Sequence, residues 1–322
     1  MTDTAQSTTT FATLFESIVG NIATVVHGKR EAIELSVMAL LAEGHLLIED
    51  VPGVGKTSLA KALAGSIDCT WKRVQFTPDL LPTDITGVMV FDQSGGTFSF
   101  REGPVFTNVL IGDEINRGSP KTQSALLEVM EERQVTADGI SRPVPRPFLV
   151  IATQNPRDYQ GTFPLPDVQL DRFAMRLTLG FADPVTEVSI LEDFTREHER
   201  DEIRPVTDAY ELDRLIGIVD TVEVARSVHE YIVAIAAATR THPDLRLGIS
   251  TRGTLTMLRV ARAYAATGDR DYVTPDDVKT ISNAVFTHRM ALTPEAELRG
   301  ARADLVLADI IDDIPVPRTR EG

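Results

Sequence analysis

The sequence predicts an α/β domain, a parallel sheet flanked by helices with two β-hairpin inserts, followed by an all-helical second domain. Three observations carry this. Short apolar runs such as "HLLIED", "VLIGD" and "FLVIATQ" alternate with helical patterns as far as about residue 184, and that alternation builds parallel sheets covered on both faces. Two intervals hold paired β-prone pieces around Gly-containing turns. Beyond Asp183-Pro184 the strand signal largely vanishes, and helical periodicity fills 185–203, 208–218, 222–241, 253–267, 275–290 and 294–302.

Each element has a local reason. Residues 1–10, "MTDTAQSTTT", are small and polar without periodicity and read as a disordered tail. Phe11, Leu14, Phe15, Ile18, Ile22 and Val25 recur at helical spacing, and a second helix over Lys29 to Glu43 stops at Gly44. "HLLIED" is a short buried strand, followed by a glycine loop, a helix from Lys56 to Ile67 and a strand at "WKRVQF". "GVMVF" and "TFSFRE" form a hairpin around Ser94-Gly95-Gly96. After the strand "VLIGD", Ser119 as N-cap and Pro120 in the first turn open a helix whose apolar face holds Leu126, Leu127 and Met130. "RQVTADGISRPVPRPF" turns at Asp138-Gly139, and "FLVIATQ" and "FAMRLTLGF" close the set of strands. The stretch "ADLVLADIIDDIPVPRTREG" ends the chain as an amphipathic segment and a tail.

Bulk composition narrows the function. The 322 residues suffice for about two domains. Net charge is 32 − 47 = −15, which weighs against a general nucleic-acid binder, because such proteins neutralise phosphates with Lys and Arg. No apolar run is long enough to span a bilayer, and the N-terminus lacks the basic region and apolar core of a secretory signal, so a cytoplasmic protein is expected. The single cysteine, Cys69, rules out an internal disulfide, the six histidines show no ligand spacing, and no G-x-S-x-G elbow occurs.

The chemistry concentrates in "IEDVPGVGKTSLA", residues 48–60. A strand, a glycine-rich turn and a helix N-terminus in series aim backbone N–H groups and a helix dipole at phosphates. Lys56 then reaches the β- and γ-phosphates and the Thr57 hydroxyl ligates Mg²⁺. The full pattern wants glycine at position 50, where Asp50 stands. Its side chain either points away from the phosphates or bonds the loop backbone. "VLIGDE" brings Asp113 and Glu114 to the carboxyl end of a second strand, where open α/β sheets bind ligands. Asp113 suits Mg²⁺ held through water, and Glu114 suits a proton acceptor for an attacking water. Asn155, ending the strand of "VIATQNP", suits a group that orients that water or senses the γ-phosphate. The plainer readings are helix capping for the two carboxylates and a turn before Pro156 for Asn155. Three polar strand ends converging on one loop favour a nucleoside-triphosphate site.

Together, "DVPGVGKT", "VLIGDEINRGSPKTQSALLEVMEER", "IATQNP" and "LPDVQLDRF" resemble the MoxR branch of the AAA+ ATPases. The resemblance implies an AAA+ P-loop core over 11–184 and a helical lid over 185–322, with hairpins matching the helix-2 insertion (about 85–103) and the hairpin before sensor 1 (about 134–147). These features also occur in the magnesium-chelatase ATPase subunit. It implies ATP and Mg²⁺ as cofactors, with Pro52, Gly53, Val54, Gly55, Lys56, Thr57 and Ser58 as Walker A, Asp113 and Glu114 as Walker B, and Asn155 as sensor 1. Val26, His27 and Gly28 resemble the stretch that contacts adenine. Arg172 resembles the arginine finger that enters a neighbour's site, and Arg252 the sensor 2 that reaches from the lid to the γ-phosphate. Arg117 receives no role. A guanidinium at the γ-phosphate offsets charge that builds during transfer, worth about 10³–10⁵ in rate. More plainly, Arg172 pairs with Asp171 or Asp167, and Arg252 caps a helix.

The implied function is a homo-oligomeric ring, hexameric by analogy, that remodels, assembles or activates a client protein. Metal insertion and a von Willebrand factor A domain partner belong to the same expectation. Two alternatives stand beside it. A nucleic-acid motor needs Lys and Arg clustered on the hairpins, where the first holds Arg101 and the second Arg133, Arg142 and Arg146. A nucleotide-gated scaffold with little hydrolysis leaves Glu114 without a purpose.

Overall fold

The computed structural model describes residues 2–93, 96–155, 161–195 and 203–317, with backbone alone for 2–10 and 193–195. Helices α1 (Thr2–Ala23) and α2 (Arg30–Leu41) precede β1 (Leu46–Glu49), α3 (Lys56–Gly65), β2 (Ile67–Asp68) and β3 (Trp71–Gln75). Next come α4 (Pro82–Thr86), the pair β4 (Gly87–Asp92) and β5 (Thr97–Glu102), β6 (Val109–Asp113) and α5 (Pro120–Glu132). The pair β7 (Gln134–Ala137) and β8 (Ile140–Pro143) leads to β9 (Leu149–Gln154), α6 (Asp167–Leu170) and β10 (Met175–Leu177). The five longer parallel-paired strands form one sheet in the order β10-β1-β9-β6-β3.

Side chains alternate across that sheet as strand geometry requires. Leu46 and Ile48 of β1 join a core shared with Phe11, Phe15, Ile18 and Ile22 of α1. Leu47, between them, joins the opposite core with Phe76, Leu126, Leu127 and Phe173. Both faces are covered, which is why β1 is apolar throughout apart from its last residue.

The second part holds α7 (Pro184–Thr195), β11 (Thr207–Asp208), α8 (Ala209–Thr221), α9 (Arg226–Thr241), β12 (Leu245–Leu247) and α10 (Thr251–Thr267). It ends with α11 (Pro275–Phe286), β13 (Ala291–Leu292), α12 (Pro294–Leu298) and α13 (Ala303–Asp313). Leu212, Ile232, Ile235 and Met257 of these helices continue the core that α1 and α2 share with the sheet. The lid helices therefore pack against α1 and α2, with α10 touching both.

Three expectations are amended. The backbone is helical from Thr2, so residues 2–10, read as a tail, extend α1. The buried face from Phe11 onward anchors a helix that propagates outward at one backbone bond per residue. The second part is not purely helical, because β12 pairs antiparallel with β13 and β11 pairs with β2 of the first part. These ladders of two or three residues are too short to leave a periodic signal. Val25, placed on the apolar face of the first helix, is 44% exposed, since α1 ends at Ala23.

Both hairpins are present. Asp138 and Gly139 join β7 to β8 with φ of 53° and 72°, the paired positive values that match strand twist in a two-residue turn. In the first hairpin Phe91 and Phe98 face each other at 5.0 Å on an exposed surface. Ser94 and Gly95 of its predicted turn lie outside the described residues.

His45, at the amino end of β1, is buried, accepts at Nδ1 from the Val150 N–H (3.0 Å) and sits 3.0 Å through Nε2 from the Met130 carbonyl. Burial, reinforced by Arg133, lowers its pKa to about 3. The unfolded chain therefore binds this proton first, near pH 6.5, and stability is lost as pH falls from about 6.5 toward 3. Each such histidine costs about 1.4 kcal/mol per pH unit in that window. Urea unfolding at pH 7 and pH 5 is expected to show a smaller drop in His45→Gln than in the wild type. Equal drops contradict the assignment.

Candidate active site

The glycine loop leaves β1 at its carboxyl end and re-enters regular structure at Lys56. Gly53 and Gly55 hold φ of +85° and +93°, and nothing lies within 4 Å of where a Cβ would project from either. Gly55 caps α3 in that left-handed conformation, which glycine adopts without steric penalty. The space beside both glycines is thus open where the loop enters α3. Pro52, Gly53 and Ser58 are exposed, while Val54 through Thr57 are half-buried.

Asp50 resolves its own anomaly. Its Oδ2 accepts from the backbone N–H groups of Leu179 (2.8 Å) and Gly180 (2.6 Å), and its Oδ1 from that of Val51 (2.7 Å). The buried carboxylate faces away from the loop and ties the strand exit to the segment that follows β10. Asp50 therefore leaves the loop open while anchoring its root. Lys56 Nζ donates to the carbonyls of Asp50 and Gln154, the latter at 3.0 Å.

Sheet register brings the other predicted residues to this edge. Glu49 pairs with Gln154, and Gln75 with Asp113. The Thr57 hydroxyl donates to Asp113 Oδ1 at 3.3 Å, so loop and second strand exit meet directly. Thr153 Oγ1 donates to the same oxygen (3.3 Å) and accepts from the Glu114 N–H (3.0 Å). Asp113 is buried, and Arg73 of β3 pairs with its Oδ2 at 2.6 Å. Glu114 stands at φ 54°, ψ 51°, a sparsely populated conformation for a non-glycine residue and a mark of constrained sites. Its Oε2 accepts from Gln75 Nε2 and from Arg117 Nη1, each at 3.0 Å. Asn155 is buried beyond β9, and its carbonyl accepts from Asn116 Nδ2 at 3.1 Å.

Val26 is buried, and Gly28 lies against α7, where an added Cβ would come 2.9 Å from Thr186 Oγ1. The Val26–Gly28 segment thus abuts the start of the helical part.

Arg172 and Arg252 are elsewhere. Both pair with the Glu131 carboxylate of α5, Arg172 at 3.0 Å, beside a cleft that also involves residues 42–45 ahead of β1. That is the amino end of the sheet. Asp50 lies five residues on from His45 along β1, roughly 16 Å at strand rise. Arg252 is thus bonded to Glu131 on a helix, α10, that packs on α1 and α2. Arg172 pairs with neither Asp171 nor Asp167, which bind Arg289 (2.8 Å) and Arg246 (2.8 Å) respectively.

The loop site also uses Arg73, Gln75 and Thr153, and the two distant arginines share Glu131; none of the four has a role in the motifs. Gln75 was findable, since it is a polar residue at a strand exit like Asp113. The others act only through their neighbours in space. Three of the hairpin arginines are engaged within the chain. Arg142 stacks on Phe100 (4.3 Å), Arg146 pairs with Glu43 and Asp213, and Arg133 donates to the carbonyls of Glu43 and Phe148.

Residues 45–175 match the ATPase family associated with various cellular activities (AAA), and residues 237–310 match the AAA lid domain. The chain is 35% identical to the chaperone MoxR1 of Mycobacterium tuberculosis over 312 residues, 94% of this chain and 82% of that one. The chain belongs to the MoxR family of AAA+ ATPases. It is also similar to the uncharacterized protein YeaC of Bacillus subtilis, at 45% identity over 96% of this chain and 97% of that one. A solved structure of a candidate ATPase from Cytophaga hutchinsonii superposes with a TM-score of 0.90 at 33% identity, covering 97% of this chain and 98% of that one. The fold of this MoxR-family chain is accordingly an AAA+ core with its parallel sheet, followed by a helical lid. Membership implies nucleotide binding. No helix among the described residues is long and apolar enough to cross a membrane.

The donors at the loop suit Mg²⁺. Thr57 and Asp113 offer oxygen ligands side by side, and Mg²⁺ is commonly held by one or two carboxylates together with substrate phosphates. No group of three or more His, Cys, Asp or Glu that could hold a metal alone occurs among the described residues.

Proposed function

We propose that the protein is a Mg²⁺-dependent ATPase working as a ring, in which Arg172 and Arg252 of one copy complete the site of the next. The carrying observation is their separation from Lys56. Both arginines sit at the amino end of the sheet and the loop at its carboxyl end, so a triphosphate bound at the loop meets Arg172 and Arg252 from a second copy. Head-to-tail contacts of this kind close into rings, hexameric by family resemblance.

Each residue then has a task. The N–H groups from Gly53 to Ser58 and the Lys56 ammonium bind the β- and γ-phosphates. Thr57 and Asp113 hold Mg²⁺, which when bound neutralises charge building on those phosphates. Glu114 takes a proton from water as the water oxygen bonds to the γ-phosphorus and the bond to the bridging oxygen breaks, giving ADP and phosphate. Asn155 orients that water, and Val26, His27 and Gly28 contact adenine. Residues 11–184 and 185–322 act as core and lid. Because Asp50 is bonded at residues 179 and 180, just ahead of α7, closure of the loop on phosphate is felt where the lid begins.

The work done by hydrolysis is read from the family. MoxR1 is a chaperone, and we extend that role to this chain: remodelling, assembling or activating a client protein, with metal insertion as one outcome and a von Willebrand factor A domain protein as partner. ATPase activity per subunit is expected to rise with protein concentration as rings form, and to vanish with EDTA. A rate per subunit that is constant down to the monomer contradicts the shared site.

A further inference from the structure

Glu131 lies within the block "VLIGDEINRGSPKTQSALLEVMEER" without a role of its own there, yet it is the partner that both arginines share. Its Oε2 receives Arg172 Nη2 at 3.0 Å and its Oε1 receives Arg252 Nη2. The three side chains are 36%, 27% and 39% exposed, so they sit at the surface of a cleft of about 200 Å³ rather than inside the core. Arg133 and Arg259 line the same cleft. Of the other carboxylates lining the cleft, Asp171 is committed to Arg289 Nε (2.8 Å) and the Ser250 hydroxyl (2.8 Å), and Glu43 to Arg146 Nε (3.1 Å).

We propose that Glu131 is a positioning residue that holds Arg172 and Arg252 as a pair and presents them together to the triphosphate of a second copy. This rests on the shared-site reading above. Two guanidiniums side by side repel, and one carboxylate between them removes that repulsion while leaving the pair with net positive charge toward a polyanion. Each guanidinium has five N–H donors and gives one nitrogen to Glu131, so donors remain for phosphate oxygens without the clasp opening. The Arg172 Nε is buried with no partner, and Glu131 is the one ion-pair partner of that side chain among the described residues. Position adds a consequence. Helix α5 starts beyond Arg117, which bonds Glu114, and its last turn carries Glu131. Its 13 residues span roughly 20 Å, so one rigid element joins a copy's own Glu114 region to the arginines it offers its neighbour.

The test is subunit mixing. Glu131→Gln preserves shape and removes charge, and is expected to lower the ATPase rate of assembled protein by about 10², the cost of a catalytic group displaced by about 1 Å. ATP affinity should stay at the wild-type value, which also reports that the variant folds. Glu131→Asp, which keeps the charge on a shorter arm, should retain an intermediate rate. A Lys56→Ala chain has no working loop but intact arginines. Mixed 1:1 with Glu131→Gln, it should restore activity at about a quarter of the interfaces, those where an intact loop meets intact arginines. Arg172→Ala mixed with Lys56→Ala is the control. If the control restores activity and Glu131→Gln alone runs at the wild-type rate, or fails to complement, the role of Glu131 is overturned. If the control also fails to complement, the shared site itself is overturned.

Discussion

Glu114→Gln is expected to lower steady-state ATP hydrolysis by about 10²–10⁴-fold, the range general-base catalysis supplies, while ATP still binds. The amide matches the carboxylate in shape and cannot accept the proton of an attacking water. Nothing that binds phosphate changes, because Lys56, Thr57 and Asp113 make their contacts without Glu114. The wild-type carboxylate is constrained on two sides, by its left-handed backbone and by the donors Gln75 and Arg117. A base so held has its oxygen aimed before substrate arrives. The measurement is paired: phosphate release under saturating ATP, and ATP affinity by calorimetry. Unchanged turnover removes Glu114 from the role of base, and a parallel loss of binding makes it a ligand of the nucleotide instead.

Arg172→Ala should produce the other large effect, a loss of about 10³–10⁵ in turnover by analogy with arginine fingers elsewhere. The distinguishing feature is what stays constant. Arg172 is separated from its own chain's loop by the length of β1, so ATP affinity of the isolated chain should match the wild type. Pre-steady-state phosphate release from assembled protein, with nucleotide binding measured on dilute protein, separates the two. A variant that loses ATP affinity in step with turnover would place Arg172 in its own chain's site and contradict the head-to-tail arrangement.

What the sequence disclosed and what it withheld divide along physical lines. The shared sheet edge of Asp113, Glu114 and Asn155 was legible because Asp113 ends one buried strand, Glu114 follows it and Asn155 follows another, and register in a parallel sheet gathers such residues at one edge. Both hairpins announced themselves through turn chemistry, Asp138-Gly139 most clearly. The destination of the Asp50 carboxylate was not legible: its acceptor role is met by backbone N–H groups 129 and 130 residues away, and a backbone donor leaves no trace in residue type. The end of the sheet to which Arg252 goes was hidden for a related reason. Periodicity along α10 fixes which face is apolar and says nothing about which end of the core the lid covers. Glu131 looked like one more charge in "EVMEER" until Arg172 and Arg252 were found on either side of it.

The claim beneath all of this is that Lys56 and the Thr57–Asp113 pair receive one Mg²⁺–triphosphate. Its most direct measure is ATP binding at equilibrium, with and without Mg²⁺, to the wild type and to Lys56→Ala. Removing a charge-assisted phosphate contact costs about 1.5–3 kcal/mol or more, so affinity should fall at least about 10-fold in the variant, and Mg²⁺ should tighten binding in the wild type. Equal affinity in the two proteins, indifferent to Mg²⁺, would mean that the nucleotide binds somewhere else.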